Sequence, residues 1–86
     1  MTTLFESIER EPRLRLGTPV RLAAAATGLW RVLDAQGLII GHLEAHLEGQ
    51  GVRYGARRFH AASRTFRELG EFWSADDAVE CLRLGR

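Results

Sequence analysis

The run Phe66-Arg67-Glu68-Leu69-Gly70-Glu71-Phe72-Trp73-Ser74-Ala75-Asp76-Asp77-Ala78 constrains the fold more than any other part of the chain. It reads as a strand that turns sharply into a capped helix. Ser74 is a suitable N-cap and Asp77 falls at the third helical position. Asp76 and Asp77 both complement the positive end of the helix dipole. Ala75, Ala78, Val79 and Leu82 then follow at i, i+3, i+4 and i+7, which is one apolar stripe. A helix with a single apolar stripe needs a partner layer, and helices of this kind lie across the inner face of an antiparallel sheet.

The residues ahead of it supply that sheet. Leu29 to Asp34 reads as a strand, and Asp34-Ala35-Gln36-Gly37 as a turn with Asp leading and Gly closing. Leu38 to Glu48 alternates, with Ile39, Gly41, Leu43, Ala45 and Leu47 on one side and His42, Glu44, His46 and Glu48 on the other. Ile39, Leu43 and Leu47 also fit a helix, but Leu38-Ile39-Ile40-Gly41 and the turn before it favour a strand. Gly49-Gln50-Gly51 makes the next turn. Val52 to His60 and Thr65 to Phe72 are strands joined by Ala61-Ala62-Ser63-Arg64.

The amino-terminal third is less patterned. Thr3-Leu4-Phe5-Glu6 has capping-box spacing, and Pro12 ends any helix there, so a short one over residues 4 to 10 is expected. Leu14, Leu16, Val20 and Leu22 alternate as strands would, but Thr18-Pro19 interrupts them. Ala23 to Ala26 followed by Gly28 fits helix, linker or disorder. The expected organisation is therefore a lead-in over residues 1–28, partly disordered or loosely docked, and a domain over residues 29–86. The fold class is α+β: a three- to four-stranded antiparallel sheet against one C-terminal helix running from Ala75 to about Leu84. Its expected core is Trp30, Val32, Ile39, Leu43, Tyr54, Phe66, Phe72, Ala78, Val79 and Leu82.

With 86 residues, 45% hydrophobic and 27% charged, the chain suits one small globular domain. It holds no apolar run near the roughly 20 residues of a membrane span, and no basic-then-apolar leader, so a cytoplasmic setting is expected. Cys81 is its one cysteine, which excludes a disulfide framework within the chain. Lysine is absent, and every basic residue is an arginine. A GC-rich coding sequence accounts for that more simply than selection for the guanidinium fork.

The net charge is only +1, so the distribution of charge carries more meaning than the total. Residues 49 to 67 hold Arg53, Arg57, Arg58, Arg64 and Arg67 without a carboxylate, whereas residues 68 to 80 hold Glu68, Glu71, Asp76, Asp77 and Glu80 without a base.

Catalytic and metal constellations are not expected. His42 and His46 on a strand lie about 13 Å apart, too far to share an ion. They fit solvent-facing positions better, and no metal or other cofactor is expected. Cys81 falls beside Val79 and Leu82, where a small apolar residue is wanted. The glycines at 49, 51 and 55 do not open a helix after a strand, so they form no phosphate loop. The arginines are the remaining candidates. Arg53 and Arg57 share one strand face, Arg58 points the other way or marks a bulge near Phe59, and Arg31 and Arg67 could join the first two on an open sheet face. A basic wet face can ride phosphates or enter a major groove. Glu44 and Glu48 on the neighbouring strand can instead pair some of those arginines.

The segment Leu69-Gly70-Glu71-Phe72-Trp73-Ser74-Ala75-Asp76-Asp77-Ala78-Val79 resembles the final strand and helix entry of the plant ethylene-response-factor DNA-binding domain. It is also similar to the arm-binding domains of tyrosine recombinases. The shared pattern is Leu-Gly-x-Phe-x-Ser/Thr, an acidic helix start and then Ala. The resemblance implies a three-stranded sheet packed on one helix, its outer face reading DNA with arginines and aromatics. Ala56-Arg57-Arg58-Phe59 and Arg64 correspond loosely to the middle strand and its turn. Glu68 stands where those families carry an aromatic. The block also looks like small actinobacterial proteins of unassigned function, some labelled DNA-related.

The sequence thus supports a non-enzymatic nucleic-acid-binding module, with double-stranded DNA as partner and Arg31, Arg53, Arg57, Arg64 and Arg67 as its contacts. The alternative is a protein-interaction module docking through the sheet edge or the Phe72/Trp73 region. No small-molecule substrate is evident, and the target, oligomeric state and pathway are not encoded in any motif.

Overall fold

Residues 8–84 are described by a computed structural model. They form one antiparallel sheet of five strands, β1 (Arg21–Ala26), β2 (Leu29–Leu33), β3 (Ile39–Glu48), β4 (Gly51–His60) and β5 (Thr65–Phe72). A single helix, α1 (Ala75–Leu84), follows the sheet. The strand order equals the chain order, so each strand pairs only with its sequence neighbours. The expected α+β class holds, with one strand more than the upper expectation. The helix expected over residues 4 to 10 lies largely outside the described residues.

The added strand is β1, drawn from the alanine-rich stretch. Alanine is a weak strand former, and its run gave no period. The pairing comes from β2 instead: Leu22 lies opposite Val32, Ala24 opposite Trp30, and Ala26 opposite Leu29. That leaves Thr27 and Gly28 as the turn, and Gly28 takes the φ of 71° that the tight reversal requires. The lead-in docks as well. Leu14, Val20 and Leu22 pack against the core, and the Arg15 N–H donates to Asp76 Oδ1 at 2.7 Å, tying the segment to the start of α1.

The other turns follow their chemistry. Asp34 Oδ1 accepts from the N–H groups of Gln36 and Leu38, both at 2.9 Å, and Gly37 closes the turn with φ of 85°. The core lies between α1 and the inner faces of β3, β4 and β5. It comprises Val32, Leu43, Ala56, Ala75, Ala78, Val79 and Leu82, with Tyr54, Leu69 and Phe72 packed against it. Ser74 caps α1 by accepting the Asp77 N–H on its Oγ at 3.2 Å. The partly buried Arg58 guanidinium donates to the Leu82 carbonyl at the other helix end.

Two expected core residues lie outside, and a bulge explains each. Between β2 and β3, Val32 faces Gly41 while Leu33 faces Ile39, so Ile40 is the extra residue. Ile40 packs on the core, and Ile39 is left exposed. Between β4 and β5, Ala56 faces Gly70 and Arg57 faces Glu68, making Leu69 the extra residue. Gly70 adopts φ of 142° there, a conformation side chains avoid. Every residue before the bulge therefore changes face. Phe66 moves to the outer face beside Phe59, and Arg67 to the helix side opposite Arg58.

Candidate interaction face

The sheet surface away from α1 carries the polar residues of alternating strands. On β3 these are His42, Glu44, His46 and Glu48, which lie opposite Arg57, Gly55, Arg53 and Gly51 of β4. Arg31 of β2 lies opposite His42. Glu68 and Glu71 of β5 lie opposite Arg57 and Gly55. Three residues apart on a regular strand, those two glutamates would face opposite ways. The Leu69 bulge brings both to this face.

Each central arginine is held by carboxylates. Arg57 pairs with Glu44 at 3.0 Å and with Glu68 at 3.6 Å. Arg53 pairs with Glu48 at 3.1 Å and donates to the Glu71 carbonyl at 3.3 Å. His46 Nε2 meets Glu71 Oε1 at 2.9 Å. A phosphate backbone would have to displace these partners before it could use either arginine.

Aromatic rings bracket the ion pairs. At one end the Arg53 guanidinium lies over the Trp73 ring, 4.3 Å from its centroid, in cation–π geometry. Gly51 leaves room for that ring: a Cβ there would stand 3.1 Å from Trp73 Cζ3. Trp73 is 62% exposed, the largest aromatic surface of any described residue. At the other end Phe66 stacks on His42 at 4.3 Å between centroids, with Phe59 tilted against it at 5.1 Å. Partial burial lowers the His42 pKa below its ordinary value, and the charges of Arg57 and Arg31 lower it further against the opposing pull of Glu44.

Of the five arginines expected as nucleic-acid contacts, the structure brings Arg31, Arg53 and Arg57 to one face. Arg64 sits in the β4–β5 turn in a left-handed conformation with φ of 54°, and Arg67 is on the helix side. Sequence reasoning did not find the Arg53–Trp73 stack or the His42–Phe66 stack. The first depends on how far Trp73 folds back after β5, and the second on the Leu69 bulge. His42 and His46 both lie on the outward face of β3, opposite Arg57 and Arg53. His46 does meet Glu48 and Glu71, whose donor atoms and its own all lie within 4.8 Å of one another. No protein-family model, curated protein or solved structure matches this chain. The face must be read on its own chemistry. Among the described residues no helix is long and apolar enough to cross a membrane.

Proposed function

We propose that this protein is a non-catalytic interaction module that docks another protein on its outer sheet face, with Trp73 and Arg53 as the anchor. The observation that carries the reading is the Arg53–Trp73 stack, solvent-exposed on the indole side and already charge-compensated by Glu48. Tryptophan and arginine are the residue types that dominate protein–protein binding energy. An arginine whose charge is already paired adds less desolvation cost on docking than a bare one. The aromatic pair at the far end offers a second contact, and the ion pairs between the two ends supply a polar surround.

The test is affinity capture at moderate salt with the full chain as bait, wild type against Trp73→Ala. A specific protein retained by the wild type and lost with Trp73→Ala, while the variant melts at an unchanged temperature, is the expected result. A capture profile identical for both baits would overturn the reading.

Nucleic-acid binding stands as the second reading, favoured by one observation: Arg31, Arg64 and Arg67 make no ion pair among the described residues. Anisotropy of a labelled duplex of about 20 base pairs, at low and then moderate salt, separates the two. Log affinity falling with log salt at a slope of about −3, and loss of binding with Arg31→Glu, would favour nucleic acid. Absence of binding at low salt would eliminate it.

A further inference from the structure

His46 and Glu48 are alternate residues of β3, so the pleat turns both outward. Glu71 arrives from β5, two strands away, opposite Gly55. The Glu71 side chain crosses β4 diagonally, and its Oε1 reaches within 2.9 Å of His46 Nε2. All three donor atoms fall within 4.8 Å of one another. We propose that His46, Glu48 and Glu71 form a binding site for a divalent transition-metal ion of the Zn2+ class. This goes beyond the docking reading and does not depend on it.

The donor set fits that class. One imidazole and two carboxylates are borderline and hard ligands that Zn2+ accepts, and the two carboxylates balance its charge. Zinc holds such donors at about 2.0–2.2 Å, which sets them about 3.4 Å apart in a tetrahedral site. The His46–Glu71 pair, now in direct contact at 2.9 Å, has to open by about 0.5 Å to admit the ion. Glu48 closes the remainder by rotating an exposed side chain, with no shift of the backbone. Three protein ligands leave the fourth position to water. Such ligands take up the ion in their deprotonated forms, so affinity declines as pH falls.

Arg53 is the built-in competitor. Its guanidinium holds Glu48 at 3.1 Å and lies over Trp73. The ion and the guanidinium cannot both take the same Glu48 oxygens. Metal entry therefore releases Arg53 from Glu48 and changes the surroundings of the Trp73 indole, which gives the site an optical signature.

The experiment is a titration of the full chain with Zn2+ at neutral pH in a non-chelating buffer, followed by calorimetry and tryptophan fluorescence. The expected result is one ion per chain at micromolar affinity, with a fluorescence change that saturates at the same ratio. His46→Ala should weaken binding at least about tenfold. Arg53→Met should tighten it about fivefold by removing a neighbouring positive charge. His42→Ala, which alters the other outward histidine, should change nothing. Failure to bind Zn2+ stoichiometrically would overturn the proposal. So would binding that survives both His46→Ala and Glu71→Gln. Neither failure bears on capture by Trp73, which is read without metal.

Discussion

Gly41 is where the packing is least tolerant. It lies in β3 directly beneath α1, and a Cβ there would come within 2.2 Å of the Arg57 carbonyl oxygen and 2.6 Å of Leu82 Cδ2. The carbonyl belongs to the paired strand and cannot yield without breaking the ladder. Gly41→Ala should therefore destabilise the protein by about 3 kcal/mol, at the upper end of the usual overpacking cost, as read from the midpoint of urea unfolding. An unchanged midpoint would mean that the helix and sheet lie further apart than this contact requires. Gly51 has a milder version of the same role, since the lack of a side chain there sets the position of Trp73.

α1 depends on its entry as much as on its stripe. Ser74 Oγ accepts the Asp77 N–H, and Asp76 accepts the Arg15 N–H, so two first-turn groups are held at once. Ser74→Ala should cost about 1 kcal/mol in thermal or urea unfolding. A loss close to zero would show that the dipole and Asp76 suffice. This element was legible in the sequence because cap, acidic first turn and stripe all pointed to one boundary, and α1 starts at Ala75 as expected. The outward set on β3 was legible for the same reason, since a regular strand fixes every face once one is known. β5 was not. Its residues fit a simple alternation, and nothing in Leu69-Gly70 alone says that the extra residue sits there rather than at a turn. That single shift moved Phe66, Arg67 and Glu68 relative to any alternating reading, and with them the part of the candidate face that β5 supplies. β1 escaped for another reason: four alanines carry no period, and only pairing with β2 defines the strand.

For the whole molecule, the outer face makes stability depend on pH. The folded protein holds His42 below its ordinary value of 6.5 through burial first, and then through Arg57 and Arg31. The unfolded chain therefore binds a proton at a pH where the folded chain does not. Stability is full above the ordinary value and declines as pH drops through it toward the lowered one. Melting temperatures taken from neutral to mildly acidic pH should show that decline, and His42→Phe should flatten it. A variant that declines as steeply as the wild type would assign the effect to other groups. The strictly sequential strand order has a kinetic consequence. Each hairpin closes a short connection, from the two residues at Thr27-Gly28 to the five from Asp34 to Leu38, so little loop entropy is spent per ladder. A chain emerging from synthesis can zip one hairpin onto the last. The apolar side of that growing ribbon then stays bare until Ala75–Leu84 emerges to cover it, which makes the interval before the helix arrives the moment of greatest exposure to aggregation.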